Sequence, residues 1–104
     1  MFGRLVEVEG VDPSKREEVL QIIRERVIPG LQEIEGFAGF ISLLDEGNRR
    51  ARSVVLWETK ESADEAERQF KARREEIVRN AGGTVRSADL YEAPIVDVRT
   101  AVRT

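Results

Sequence analysis

The residues best suited to chemistry lie around the chain's single tryptophan. Trp57 ends an apolar run over residues 54–57 and is followed at once by a polar helix-start signal. Because side chains alternate along a strand, Ser53 and Val55 share one strand face with Trp57. An indole stacks on aromatic ligands and donates one hydrogen bond, and a hydroxyl can hold a ligand oxygen. Two interpretations of this spacing are therefore open: Trp57 is a core anchor beside a backbone-bonded serine, or the two side chains belong to the wall of a small-molecule site.

Three other aromatic residues are candidates for the wall of that site, namely Phe40, Phe70 and Tyr91. Phe70 lies on the apolar stripe of a predicted helix, where a core role also explains it. Tyr91 lies near the end of the last main strand, where its hydroxyl reaches either a ligand or solvent. We therefore take Trp57, Ser53 and Tyr91 as catalytic candidates, and the same three together with Phe40 and Phe70 as substrate-binding candidates.

The absence of histidine and cysteine from the sequence excludes several catalytic classes. Such a chain has no thiolate, no serine–histidine triad and no histidine-based zinc or iron site. Acid–base catalysis would fall to carboxylates, to Tyr91 or to a lysine, and no carboxylate pair stands out among the 20 acidic residues. We expect neither a metal nor a cofactor.

Three arginines follow the predicted turn at residues 45–48, namely Arg49, Arg50 and Arg52. One interpretation is a basic gate for an acidic ligand. The other is a solvated edge strand, whose charged side chains protect it from pairing with other chains.

Hydrophobic alternation and turn residues divide the chain into short strands and two helices. The predicted strands span residues 2–9, 37–44, 50–57 and 85–91, with a tail strand over 95–98. The resulting order βαββαβ predicts an α+β, ferredoxin-like fold with an antiparallel sheet. We expect a single domain over all 104 residues, of which about 92–104 is the C-terminal tail.

The first helix is predicted to begin at Asp12-Pro13, where a carboxylate N-cap precedes a proline. Its apolar stripe continues past Pro29-Gly30. Proline removes a backbone donor and clashes with the preceding turn, so we expect a kink or break there. Gly36 predicts the end of this helix.

The second helix is predicted to begin at Thr59 or at Ser62, the latter as a capping box with Glu65. Glu67 and Lys71 are four residues apart and predict an exposed ion pair. The apolar stripe of this helix is thin, which fits either a cavity or tight packing against the sheet.

Two strands are apolar at nearly every position, over residues 40–44 and 54–57, and do not alternate. A sheet with helices on one face should instead alternate between apolar and polar side chains. Both faces of the sheet are therefore expected to be buried, and a homodimer that packs sheet against sheet would bury them.

The charge balance argues against a polyanionic partner. The chain has 17 basic and 20 acidic residues and a net charge of −3, so we expect no binding to nucleic acid or to a membrane surface. Charges interrupt the N-terminal segment, which lacks the apolar core of a signal peptide. The expected location is cytoplasmic.

The chain resembles the antibiotic biosynthesis monooxygenase-type domains of the dimeric α+β barrel superfamily. The resemblance covers residues 1 to about 98 and rests on three motifs in order: Pro29-Gly30 within the first helix, Gly36-Phe37-x-Gly39-Phe40 opening the second strand, and Trp57-Glu58-Thr59 ending the third. It implies a homodimer whose two four-stranded sheets close into a barrel. It also implies a pocket, between each sheet and its own helices, for a small and often aromatic molecule.

Two family activities can be compared with the residues present. Haem-degrading members use a histidine as axial ligand, which this chain lacks. Oxygenase members commonly have an asparagine four residues before the tryptophan, where this chain has Ser53. A serine hydroxyl reaches less far than an amide, so this departure weakens the monooxygenase interpretation and leaves small-molecule binding open.

Three functions remain open on the sequence alone. The first is a small-molecule-binding dimeric barrel that acts as a cofactor-independent monooxygenase on an aromatic or phenolic substrate. The second is a non-catalytic module that binds or senses a metabolite. The third is a structural dimer whose pocket is filled by its own side chains.

Overall fold

The computed structural model describes residues 1–99. It contains one antiparallel sheet of four strands in the order β2-β3-β1-β4. The strands are β1 (Phe2–Glu9), β2 (Phe37–Asp45), β3 (Arg50–Trp57) and β4 (Thr84–Glu92). Each agrees with its predicted span to within about one residue. With the helices between them they form the predicted α+β, ferredoxin-like fold.

The first helical segment is continuous but irregular. A 3₁₀ turn at Pro13–Lys15 leads into α1 (Arg16–Ile22), a π-helical turn at Ile23–Val27 and then α2 (Ile28–Gln32). The helix start is confirmed, because the Asp12 carboxylate accepts a hydrogen bond from the Ser14 amide at 3.0 Å.

Of the kink or break predicted at Pro29, the break does not occur, because helical structure continues through this residue. Pro29 lies in the first turn of α2, directly after the π-helical turn. The wider π-helical turn leaves room for the proline ring and does not need the hydrogen bond that proline cannot donate. The helix therefore continues without interruption. The helix ends at Gln32, before the expected stop. Gly36 adopts φ +93° in the turn that follows, where a Cβ would collide with the Ser62 hydroxyl.

The second long helix, α3 (Lys60–Asn80), begins at the first of its two predicted positions. The Thr59 hydroxyl caps it by accepting a hydrogen bond from the Ser62 amide at 3.1 Å. The capping box with Ser62 as N-cap is therefore wrong, since Thr59 already satisfies the exposed amide.

The packed core lies between the sheet and the helices. Trp57 is only 1% exposed and packs with Leu31, Ala63 and Ala66. The Phe37 ring meets the indole edge-to-face, with centroids 5.7 Å apart. Alanines on α3 leave room for this large ring, so the helix can approach the end of β3 closely.

The other face of the sheet is uncovered by helices and carries exposed apolar residues. Ile41 and Leu43 of β2 are 41% and 52% exposed, and Tyr91 of β4 is 54% exposed. This face, defined by Leu5, Ile41, Leu43, Val54, Leu56 and Tyr91, is called the outer sheet face below. The continuous apolar runs of β2 and β3 thus place side chains on both sides of the sheet, as predicted from the sequence.

The predicted tail strand over 95–98 does not form in the single chain. Residues 93–99 have no regular secondary structure, and Ile95 is 85% exposed. A strand needs a neighbour for its backbone hydrogen bonds. The Ala93 amide still donates to the Met1 carbonyl at 2.8 Å, but residues 95–98 form no backbone hydrogen bonds to a neighbouring strand in the described structure. The rest of the predicted tail, residues 100–104, lies outside the described residues. Within residues 1–99, no helix is both long and apolar enough to cross a membrane.

Candidate functional site

A cavity of about 190 Å³ separates the sheet from its helices. Its walls are mostly apolar. The helices contribute Val19, Leu20, Ile23, Val27, Phe70 and Ile77, and the strands contribute Val6, Val8, Phe40 and Val55. An engineered apolar cavity of ~150 Å³ holds benzene, so this space suits a ligand of one or two rings.

The cavity exists because the first helix packs loosely at this end. Neither α1 nor the π-helical turn contains a buried residue. Their apolar side chains, among them Val19 and Ile23, are half-buried and face the cavity. On the opposite side, the buried alanines of α3 give way to the half-buried Phe70 and Ile77. The narrow apolar face of α3 therefore packs against the core at Ala63 and Ala66 and borders the cavity further along the helix, at Phe70 and Ile77.

The structure brings together three of the five predicted site residues. Phe40, Ser53 and Phe70 line the cavity. Trp57 is absent from the lining and belongs to the packed core. Tyr91 lies on the outer sheet face.

The register of β4 explains the position of Tyr91. Leu90 pairs with Arg4 and packs against the core around Trp57. The next residue, Tyr91, pairs with Gly3 and must face the other way. Its hydroxyl therefore cannot act together with Ser53.

A second serine, not singled out from the sequence, completes a hydroxyl pair. Ser42 of β2 lies directly across from Ser53 of β3, and both line the cavity. Neither hydroxyl has a hydrogen-bond partner within residues 1–99 of the structure, so both are available to a ligand oxygen. The hairpin register is the signal that could have found Ser42, because a turn over 45–48 places these two positions opposite each other.

A half-buried charged cluster borders the same cavity. Arg74 of α3 donates two hydrogen bonds to the Glu67 carboxylate, at 2.9 and 2.8 Å. From β1, Arg4 reaches within 3.6 Å of Glu67 and 3.9 Å of Asp64, and Arg4 and Arg74 line the cavity. The predicted exposed pair of Glu67 with Lys71 is wrong, because Glu67 turns inward to Arg74.

The environment of Glu67 favours its ionised form. The hydrogen bonds from Arg74 lower the pKa of this carboxyl below its ordinary value, and burial only partly opposes them. The sequence signal for this cluster was Arg4, which shares a strand face with Val6 and Val8 and so had to point between the layers.

A family model for antibiotic biosynthesis monooxygenases matches residues 1–74 of the sequence. The chain belongs to the antibiotic biosynthesis monooxygenase family. No curated protein matches the sequence.

Solved structures of other proteins share the fold of this family member. SnoaB, a cofactor-independent oxygenase from Streptomyces nogalater, superposes with a TM-score of 0.65 at 16% identity, covering 91% of this chain and 95% of its own. The ActVA-Orf6 monooxygenase from Streptomyces coelicolor, in complex with nanaomycin D, has a TM-score of 0.64 at 14% identity, covering 96% and 92%. An antibiotic biosynthesis monooxygenase-like protein from Nitrosomonas europaea has a TM-score of 0.63 at 13% identity, covering 91% and 100%. At these identities the likeness establishes the fold alone.

In this family member the arginines after the turn do not form an edge strand. β3 lies inside the sheet, between β2 and β1. Arg50 binds Asp45 at 2.6 Å and Arg52 binds Glu7 at 3.1 Å. The edge-strand interpretation is therefore wrong, and these two charges are engaged with carboxylates.

The polar groups of the cavity set its chemistry. No cluster of histidine, cysteine, aspartate or glutamate suited to a metal occurs in the described part of the chain. Hydroxyls of Ser42 and Ser53 can hold a ligand oxygen, and the guanidinium groups of Arg4 and Arg74 favour a negative charge on it. The apolar walls exclude water from the remainder of the ligand.

Proposed function

We propose that this protein binds a small aromatic molecule in the cavity and oxidises it as a cofactor-independent monooxygenase. The observation that carries the proposal is the apolar cavity with the Ser42–Ser53 hydroxyl pair in its wall, in a chain of the antibiotic biosynthesis monooxygenase family. The fold shared with SnoaB, which is described as a cofactor-independent oxygenase, supports the same assignment.

In this mechanism the substrate supplies the electrons. A phenolic substrate ionises, and its electron-rich ring carbon forms a bond to molecular oxygen. The O–O bond of the resulting hydroperoxide then breaks, leaving one oxygen as a carbonyl while the other departs as water with the two hydrogens lost from the substrate. The protein positions the ring, excludes water and donates hydrogen bonds from Ser53 and Ser42 to the phenolate oxygen.

Oxygen uptake tests this function. Purified protein, with no added metal or flavin, is supplied with a panel of phenolic one- and two-ring compounds and their polycyclic relatives. We expect oxygen consumption that requires protein, with kcat lowered at least tenfold by Ser53→Ala, since loss of one donor to a developing oxyanion costs ~10²–10³ in strong cases. Tyr91→Phe is the matched control and should leave the rate unchanged.

Two other outcomes would replace the enzymatic proposal. Saturable binding of these compounds without oxygen uptake would make the protein a non-catalytic metabolite-binding module. An absence of binding as well as turnover would favour the structural dimer.

We also propose that the protein is a homodimer, joined through the outer sheet face. The support is the exposure of Ile41, Leu43 and Tyr91 on a face that the helices leave uncovered. Mass measurement in solution should give twice 11.8 kDa, and Leu43→Glu should shift it toward the monomer. A monomeric mass for the unmodified protein at micromolar concentration would refute the dimer. The cytoplasmic location stays a prediction from composition.

A further inference from the structure

The guanidinium groups at the cavity have more hydrogen-bond donors than acceptors. Glu67 accepts one bond from each terminal nitrogen of Arg74. The Nε–H of Arg74 is buried without a partner. A guanidinium carries five N–H donors. Two of those on Arg74 bind Glu67, so besides Nε–H one N–H on each terminal nitrogen has no acceptor within residues 1–99.

Arg4 is likewise incompletely engaged. Its Nη1 donates to the Ala88 carbonyl at 3.1 Å. Its closest approaches to Glu67 and Asp64 are 3.6 and 3.9 Å, longer than hydrogen bonds. Asp64 is in turn held by Lys60 at 2.8 Å. Arg4 therefore shares carboxylates that other cations already bind.

The cluster carries one excess positive charge. Arg4, Arg74 and Lys60 are cationic, while Glu67 and Asp64 are the anions that they contact. Lys60 is 60% exposed and solvated, whereas the side chains of Arg4 and Arg74 are only 13% and 19% exposed, so water screens the two arginine charges poorly. A cation beside an apolar space is unfavourable in free energy, because it has lost contact with water, unless an anion binds next to it.

We propose that the cavity is built for an aromatic carboxylate, whose ring lies among the apolar walls and whose carboxylate accepts from the donors of Arg74 and Arg4 that Glu67 leaves free. This inference rests on the proposed function only in using the same cavity. A carboxylate suits the site because its two oxygens match the planar guanidinium fork. Ser53 lies two residue pairs along the sheet from Arg4, on the same face, and is left to hold a second oxygen on the ring.

Calorimetric titration with a matched pair of probes tests the proposal. The probes are 2-naphthoate and uncharged 2-naphthamide, which have the same ring system and differ in charge. At pH 7 we expect the acid to bind at least tenfold more tightly than the amide, as for hydrogen bonds to charged groups. Arg74→Gln should abolish this preference by lowering the affinity for 2-naphthoate and leaving the affinity for 2-naphthamide unchanged. Arg68→Gln is the control, because Arg68 is exposed on the same helix, pairs with Glu65 and does not line the cavity.

A second measurement needs no variant, in case Arg74→Gln unfolds. In the unmodified protein, the ¹⁵N–H signal of Arg74 Nε should shift on addition of 2-naphthoate and remain in place with 2-naphthamide. Equal affinities for the two probes, or an unmoved Arg74 signal at saturating acid, would overturn the carboxylate site.

The results separate this proposal from the proposed function. If the amide binds as well as the acid and phenols still drive oxygen uptake, only the carboxylate site fails. If acid preference is present without oxygen uptake, the site stands and the monooxygenase fails. If neither probe binds and no phenol is consumed, both are refuted.

Discussion

The two ends of the layer between sheet and helices differ in how they are filled. At one end Trp57 is buried to 1% exposure against Leu31, Ala63 and Ala66. At the other end, only a few residues away along β3, Ser53 borders a cavity of about 190 Å³. One strand thus contributes both the large side chain that is buried most completely in the described structure and a wall of the candidate ligand site.

The difference comes from how the two helical segments approach the sheet. Small residues in the first half of α3 bring its backbone close, and the large indole fills what space remains. At the open end the π-helical turn at Ile23–Val27 and α1 contain no buried residue. Close packing stabilises the fold around Trp57, whereas the region beside Ser53 is loosely packed. Such loss of packing is common where a protein binds ligands.

The largest expected effect is a loss of stability from a substitution at the packed end. Trp57→Ala should lower the free energy of unfolding by about 3–5 kcal/mol, because it removes a fully buried aromatic ring and leaves a cavity. Ile23→Ala at the open end should cost only about 1 kcal/mol, because Ile23 is already half-exposed. Urea unfolding at one fixed protein concentration measures both values. Similar costs for the two variants would show that the ends are equally packed.

An intermediate effect comes from adding volume to each end. Ala66→Leu should destabilise the protein by about 1–3 kcal/mol, since Ala66 is buried in the core cluster with Trp57 and added volume there overpacks it. Ser53→Val adds volume beside open space in a strand, and its stability should stay within about 0.5 kcal/mol of the unmodified protein. Thermal unfolding distinguishes the two. A large loss of stability from Ser53→Val would mean that the cavity closes in solution.

The smallest effect concerns the charged cluster beside the cavity. The pKa of Glu67 is lowered from its ordinary value of 4.5, chiefly by the Arg74 hydrogen bonds. A lowered pKa means that the contribution of Glu67 is complete above pH 4.5 and is lost as the pH falls through the native value. Glu67→Gln should therefore cost roughly 1–2 kcal/mol at pH 7.

The pH series supplies the check on that prediction. The stability gap between the unmodified protein and Glu67→Gln should narrow as the pH is lowered below 4.5. Glu76→Gln on the exposed side of α3 is the matched control and should show no comparable gap. A gap that stays constant into acid would show that the Glu67 charge does not stabilise the native state.

Most of the fold could be predicted because its signals are local. Strand spans followed from alternation and turn residues, and Asp12 and Thr59 were recognisable helix starts. The candidate site was predicted only in part. Phe40, Ser53 and Phe70 reach the cavity, but Tyr91 was assigned to it by nearness to the strand end, and the β1–β4 register turns it to the outer face.

Other errors share one cause, which is dependence on a neighbour. The tail over 95–98 has strand-like composition and no strand beside it. Charges around Arg52 resembled an edge strand, although β3 lies inside the sheet. Glu67 has a favourable surface spacing to Lys71, yet the buried guanidinium of Arg74 binds it more strongly because hydrogen bonds to charged groups gain in a less polar environment.

The sequence by itself determined the order of the elements, the apolar character of both sheet faces and the absence of histidine and thiol chemistry, because these depend on residue types and local spacing. Tertiary structure alone decided that Trp57 fills the core, that Ser42 faces Ser53, and that Arg4 and Arg74 meet at the cavity. These facts depend on strand register and on the packing distance between each helix and the sheet. That distance is set by packing among residues far apart in the chain.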